Sequence, residues 1–136
     1  MMKKIISITV DVENPQTDFR LGRVTNNLID PLLKNERVGI SKITSIMDRY
    51  KIKGTFFITT SEKKFWGDEY FKKICESLKI NDHEVALHTH PEWTDKKNRI
   101  LLNQLNKSEQ EKFINSGISD IYNWTGEKPK SHRAGA

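Results

Sequence analysis

The chain alternates two kinds of segment, and this alternation limits the folds open to it. Short segments rich in aliphatic and aromatic residues cover residues 5–12, 54–60 and 84–88, and a fourth begins at Ser131. Such segments are typical of parallel strands, which are buried on both faces of a sheet. The segments between them place apolar residues at helical spacing. The sequence therefore predicts an α/β fold in the order β-α-β-α-β-α-β, with helices packed outside a parallel sheet.

Helix starts and ends are predicted from capping residues. We predict that Ser41 caps the first helix and that Asp68 begins the second. Ser108 and Glu111 form a capping-box pattern ahead of the third helix. Gly126 follows the last apolar position of that helix and is expected to end it.

The chain has 136 residues, about one ordinary domain. Residues 14–38 and 91–106 are polar and poorly periodic, and loops of that length in a compact domain are usually functional or mobile. The sequence stops at Ala136, where the fourth strand begins, which would leave an open parallel edge. We therefore expect residues 1–136 to be the N-terminal portion of a larger barrel-like domain.

Charge and composition argue against several classes of protein. The net charge of +5 comes from lysines spread along the chain, whereas a nucleic-acid binder usually gathers its basic residues on one element. No apolar run approaches the roughly 20 residues of a membrane-spanning helix. The apolar stretch after Lys4 is too short for a secretory signal, and the single Cys75 excludes an internal disulfide. We expect a cytoplasmic protein that neither inserts into membranes nor binds nucleic acid.

Acidic, imidazole and guanidinium side chains follow three of the predicted strands. The first strand ends in Asp11 and Glu13. The third ends in His88 and His90, and the fourth supplies Arg133. Strand residues two apart point to the same face, and sites in parallel α/β sheets form at the carboxyl ends of the strands. We therefore expect these side chains to share one site.

Residue types at this predicted site are those of a metal-dependent hydrolase. Two imidazoles and a carboxylate are a usual ligand set for catalytic zinc, with a position left for water. A second carboxylate can act as general base, and an arginine can orient it. We expect one divalent metal ion, zinc in the first place, with cobalt, nickel and manganese as alternatives.

Four segments, in this order and spacing, match the motifs of a known family. They are Thr9-Val10-Asp11-Val12-Glu13, Gly54-Thr55-Phe56-Phe57-Ile58, Asp82-His83-Glu84-Val85-Ala86-Leu87-His88-Thr89-His90 and Thr125-Gly126-Glu127-Lys128-Pro129-Lys130-Ser131-His132-Arg133-Ala134-Gly135. Together they resemble the polysaccharide deacetylases of the NodB-homology type. The resemblance implies a distorted, seven-stranded (β/α) barrel, of which this chain is a part. It also implies metal-dependent removal of N-linked or O-linked acetyl groups from a carbohydrate, with an N-acetylated sugar or sugar intermediate as substrate.

The resemblance also implies roles for single residues. Asp11 matches the general base, and Arg133 matches the arginine that braces that base. Glu13 stands in for the metal-binding acid, which in the family usually occupies the place of Val12. His88 matches the first metal-binding histidine.

The second metal-binding histidine of the family usually lies four residues after the first, where this chain has Glu92. We expect His90 to replace it, with Glu92 as the alternative ligand or as a neighbour that binds substrate. Trp93 is predicted to stack on a sugar ring. His83, which precedes the third strand, is predicted to be structural.

Two alternatives to a deacetylase remain open. The His-x-His pattern also resembles amidohydrolases and PHP-type phosphoesterases, which would hold two or three metal ions. The second alternative is that the chain as given is a non-catalytic remnant that binds a sugar or a partner. It follows from the resemblance, because the family's general acid would lie after Ala136. A homo-oligomer is one way to cover the open edge.

Overall fold

The computed structural model describes residues 6–15, 28–94 and 100–135. Their strands are β1 (Thr9–Val12), β2 (Leu32–Leu33), β3 (Glu36–Arg37), β4 (Thr55–Thr59), β5 (Glu84–Thr89) and β6 (His132–Ala134). Their helices are α1 (Ile40–Arg49), α2 (Lys63–Trp66), α3 (Asp68–Ile80) and α4 (Lys107–Thr125). Short 3-10 turns lie at Thr60–Glu62, Pro91–Trp93 and Leu102–Gln104.

Four strands form a parallel sheet in the order β1-β4-β5-β6. Each neighbouring pair is joined through helical segments, so the predicted α/β order and the partial barrel are confirmed. The register sets Asp11 level with Phe57, and it sets His88 level with Thr59 on one side and Arg133 on the other. The carboxyl ends of the strands therefore meet at one edge, as the site requires.

The core lies where the strands meet the helices. Phe56 and Ile58 of β4 are fully buried, as is Phe71 of α3. Phe71 stacks on Trp124 of α4, with ring centroids 5.8 Å apart. Burial of each such side chain contributes about 1.5–3 kcal/mol, so β4 and the two long helices hold the sheet in place. Burial also raises the pKa of the Cys75 thiol to about 12, which leaves that side chain an unreactive member of the core.

Helix α1 begins two residues earlier than predicted, and Ser41 does not cap it. Gly39 is the N-cap, and a Cβ there would lie 2.0 Å from the Ile29 carbonyl oxygen. Ser41 instead donates from its backbone N–H and its hydroxyl to the Asp30 carboxylate. The close approach of two chain segments, which only glycine permits, therefore decides where this helix starts.

Helix α4 also begins earlier than predicted. Its capping box uses Asn106 and Glu109, two residues before the predicted Ser108 and Glu111. Both registers carry a capping side chain followed three residues later by glutamate, and the earlier one lengthens the helix. Gly126 ends the helix in a left-handed conformation, with φ of 74°, as predicted.

The predicted long loops contain some regular structure. The segment 28–38 includes the antiparallel β2–β3 pair, and the segment after β5 begins with the Pro91–Trp93 turn. Strand β1 begins at Thr9 rather than at residue 5, which lies outside the described residues. No helix within the described residues has both the length and the apolar composition to cross a membrane.

Candidate metal centre

Strands β1 and β5 bring three side chains together at the carboxyl edge of the sheet. Glu13 Oε2 lies 3.0 Å from His88 Nε2 and 2.9 Å from His90 Nε2. The two Nε2 atoms lie 3.0 Å apart. Among the described residues, this is the one group of three His, Cys, Asp or Glu side chains close enough to hold a metal ion. Adjacent ligands of a tetrahedral zinc lie about 3.3 Å apart, close to the spacing seen here.

The second nitrogen of each imidazole has a partner that can only accept a hydrogen bond. His88 Nδ1 lies 2.8 Å from the Arg133 carbonyl oxygen, and His90 Nδ1 lies 2.6 Å from Glu92 Oε1. Each neutral ring therefore carries its proton on Nδ1 and directs the lone pair of Nε2 toward Glu13. With both rings neutral, the three converging atoms, about 3 Å apart, are all acceptors, and a cation would satisfy all of them. The donor set thus fits a divalent metal ion.

Without a cation, a protonated imidazole supplies the positive charge instead, by donating from Nε2 to Glu13. Burial by itself raises the pKa of the Glu13 carboxyl, but hydrogen bonds and charge interactions with His88 and His90 outweigh it and lower the pKa to about 2. For His90, burial lowers the pKa, while hydrogen bonds to Glu13 and Glu92 raise it, and the net pKa is raised. Glu13 is therefore a carboxylate at neutral pH, and it favours positive charge on His90.

Of the two residues that the sequence left as alternative ligands, His90 faces Glu13. Glu92 is 7% exposed and holds His90 from the far side of the ring, through Nδ1. In metalloproteins, an arrangement of this kind orients the histidine that binds the metal and raises its basicity.

Trp93 lies against the same histidine. Its ring stacks on His90 with centroids 3.9 Å apart and planes 4° from parallel, and it is 5% exposed. The structure thus places Trp93 and Glu92 around His90, and the expectation that they bind substrate stays a prediction.

Asp11 and Arg133 meet across the sheet. The Arg133 guanidinium donates to Asp11 Oδ1 through Nη1 and to Thr9 Oγ1, 3.0 Å away, through Nη2. Its Cζ lies 4.0 Å from the centroid of the Phe57 ring. Two hydrogen bonds and a stacked ring leave this guanidinium little freedom, so it can hold the Asp11 carboxylate in one orientation. The Asp11 side chain is 37% exposed, which leaves it open to a small reactant.

Two contacts of the cluster were missed by sequence reasoning. A Cβ on Gly135 would lie 2.2 Å from His90 Cε1, so only glycine fits against that ring. Thr59, at the end of β4, places its hydroxyl 3.5 Å from Glu13 Oε2. The glycine stands two residues after Arg133 in the last motif, and that position was the available signal.

Comparison with known structures supports the fold. The chain is similar to a peptidoglycan deacetylase, PdaC from Bacillus subtilis, with a TM-score of 0.61 and 21% sequence identity. The match covers 96% of this chain and 48% of that one, so the chain spans about half the length of the structure it resembles. At this identity the likeness concerns the fold.

Comparison of the sequence itself gives two results. No curated protein matches the chain. The sequence model of the polysaccharide deacetylase family, by contrast, matches residues 2–136, almost the entire chain. The chain therefore belongs to the polysaccharide deacetylase family.

Proposed function

We propose that this chain carries the metal site and the general base of a hydrolase that removes N-linked, or O-linked, acetyl groups from a carbohydrate. The observation that carries the proposal is the convergence of Glu13 Oε2, His88 Nε2 and His90 Nε2, all acceptors, within about 3 Å. Membership of the polysaccharide deacetylase family supports the carbohydrate substrate. The similar PdaC structure, a peptidoglycan deacetylase, supports an N-acetylated sugar.

Glu13, His88 and His90 would hold one divalent cation, zinc in the first place, with cobalt, nickel or manganese as alternatives. When bound there, the cation supplies Lewis-acid polarisation of the acetyl carbonyl and lowers the pKa of water. Hydrogen bonds from Nδ1 to the Arg133 carbonyl and to Glu92 keep both imidazoles aimed at the cluster.

Asp11 would act as general base. Its carboxylate takes a proton from the water that attacks the acetyl carbon, while Arg133, itself held by Thr9, keeps that carboxylate oriented. The C–N bond then breaks, the amine nitrogen takes up a proton equivalent to the one that Asp11 removed, and acetic acid departs and ionises in solution. Each turnover consumes one water for one amide bond.

Asp11→Asn in the full-length protein that contains this chain tests the assignment. The variant is expected to lose deacetylation of an N-acetylated oligosaccharide by about 10²- to 10⁴-fold, because the general base is removed. Its metal content should be unchanged, since Asp11 is not one of the three clustered ligands. Undiminished turnover would remove Asp11 as the base.

The number of metal ions separates the proposal from its rival. A deacetylase of this kind holds one ion, whereas amidohydrolase-type or PHP-type enzymes hold two or three. Zinc analysis of the purified protein is expected to give one ion per chain. A stoichiometry of two would contradict the proposal.

Three further expectations belong to the proposal. The protein is proposed to be cytoplasmic. Residues 1–136 are proposed to be the N-terminal portion of a longer barrel domain. Homo-oligomer formation likewise stays a prediction.

A further inference from the structure

The segment that follows strand β4 contains none of the clustered ligands, yet it contacts both chain segments that carry them. It consists of the Thr60–Glu62 turn and helix α2, and we refer to residues 60–66 as the clamp segment. Its side chains reach toward β1 on one side and toward the end of β5 on the other. Glu62 makes the first set of contacts and Lys64 the second.

Glu62 is 0% exposed and forms two hydrogen bonds with Asn14, the residue that follows Glu13. Its Oε1 accepts the backbone N–H of Asn14 at 2.8 Å, and its Oε2 accepts the Asn14 side-chain amide at 2.5 Å. The Asn14 N–H belongs to the same peptide plane as the Glu13 carbonyl. Fixing that plane fixes the backbone from which the Glu13 side chain projects.

The orientation of Asn14 is fixed at both ends of its side-chain amide. Oδ1 accepts the Leu28 N–H at 2.6 Å, while the amide nitrogen donates to Glu62. Trp66 adds a third donor to Glu62, from Nε1 at 3.2 Å. All of these neighbours of Glu62 donate a hydrogen bond to its carboxylate. A glutamine at this position would place its NH2 group, which is also a donor, against one of these donors.

A buried carboxylate is a costly way to fill this space. Burial raises the pKa of Glu62, which shows that the ionised form is disfavoured there. An apolar side chain of similar size would pack without that penalty. A carboxylate, unlike an apolar side chain, can accept the two hydrogen bonds that hold Asn14 in place. This role explains why a carboxylate occupies the position.

Lys64 holds the other ligand-bearing segment. Its ammonium donates to the carbonyl oxygens of Trp93, at 2.8 Å, and Thr94, at 3.0 Å. These carbonyls belong to the turn that directly follows His90 and carries its two neighbours, Glu92 and Trp93. Two charge-assisted hydrogen bonds restrain that turn relative to helix α2.

We propose that the clamp segment positions the metal centre, with Glu62 holding Glu13 through Asn14 and Lys64 holding His90 through the Pro91–Trp93 turn. Both are positioning residues, since each acts through another part of the chain. The inference rests on the metal site of the proposed function.

Zinc binding by Glu62→Gln and Lys64→Met tests the clamp. Each variant is expected to bind zinc roughly 10- to 100-fold more weakly than the wild type in isothermal titration calorimetry, the usual cost of losing an outer-shell partner. The visible absorption of the cobalt-substituted protein is expected to change, because it reports ligand geometry. Urea unfolding of the zinc-free proteins measures any loss of stability separately.

Matched controls come from the same chain. Glu84 is a carboxylate that accepts hydrogen bonds from Thr55 and Ser131 at the opposite end of β5. Lys79, outside the clamp segment, donates to the Thr125 carbonyl oxygen and pairs with Glu127. Glu84→Gln and Lys79→Met are therefore expected to leave zinc affinity and the cobalt spectrum unchanged.

The outcomes separate the two proposals. If the wild type binds no zinc, the metal centre and the clamp are both refuted. If the wild type binds zinc and both clamp variants match its affinity and its cobalt spectrum, the clamp alone is overturned. If Glu62→Gln does not fold, Lys64→Met decides the question, because Lys64 is an exposed side chain.

Discussion

A buried histidine lies beside a carboxylate at each end of strand β5. The two ends differ in whether a histidine nitrogen is left with a lone pair that could bind a metal. At the amino end, His83 Nδ1 accepts the Gly54 N–H at 3.3 Å. Its Nε2 therefore carries the proton, 3.3 Å from Asp48 Oδ1, although this contact is not aligned as a hydrogen bond. The ring packs edge-on against Phe56, with centroids 5.1 Å apart.

At the carboxyl end the protonation is reversed. His88 and His90 give their Nδ1 protons to acceptors, and their Nε2 lone pairs converge with Glu13. His83 has no lone pair to offer, whereas this pair offers two in one direction. A buried histidine next to an acid is therefore not sufficient for a metal site. Its unprotonated nitrogen must also point toward the other ligand atoms.

The strongest test of this difference substitutes one histidine at each end. His88→Gln is expected to weaken zinc binding roughly 100-fold or more, because four-ligand zinc sites are worth about 10–16 kcal/mol in total. His83→Gln is expected to leave zinc affinity unchanged and to lower the free energy of unfolding by about 1–3 kcal/mol, since it disturbs buried polar contacts. Calorimetric titration with zinc and urea unfolding measure the two effects. A similar loss of zinc affinity in both variants would contradict the distinction.

A smaller effect is expected from the glycine that lies against His90. Gly135→Ala places a Cβ within 2.2 Å of His90 and must displace the ring, so zinc affinity should fall about 10-fold. Gly126→Ala is the control, because a Cβ there meets nothing within 4 Å. With a φ of 74°, it should cost about 1 kcal/mol of stability without changing zinc affinity. Equal zinc affinity in the two variants would show that Gly135 does not constrain His90.

The smallest expected effect is the pH dependence of the metal-free protein. Glu13, with its pKa lowered from 4.5 to about 2, contributes stability that is present above pH 4.5 and is lost as the pH falls toward 2. His90, with its pKa raised above 6.5, contributes stability that is present below pH 6.5 and is lost as the pH rises through the folded-state pKa. Urea unfolding in a chelator should therefore show both losses in the wild type, and Glu13→Gln should reduce them. If Glu13→Gln keeps both losses in full, the cluster is not their source.

Much of the fold follows from local pattern. The apolar runs at 54–60 and 84–88 became β4 and β5, and Asp68 begins α3, because strand and helix periodicity depend on neighbouring residues. The helix starts at Ser41 and Ser108 were wrong. Helix α1 starts after Gly39 because of a contact with Ile29, ten residues away, which local sequence does not reveal. For helix α4, residue types alone do not show which of two overlapping capping boxes forms.

For the candidate site, sequence motifs named Glu13, His88 and His90, and strand topology brings them together. The structure adds the partners that orient them. Glu62 lies 48 positions from Asn14, and the Arg133 carbonyl lies 45 positions from His88. No motif spacing predicts such pairs, because they depend on how segments distant in the chain pack side by side.

The amino-acid sequence by itself determined that parallel strands alternate with helices and that acids and imidazoles stand at the strand ends, since both are consequences of residue order along each segment. Only the tertiary structure decided that His90 rather than Glu92 faces Glu13, and that the free nitrogens of both imidazoles point the same way. The physical reason is that a side chain's ligand atom is set by its hydrogen-bond partners, and here those partners include the Arg133 carbonyl on a neighbouring strand.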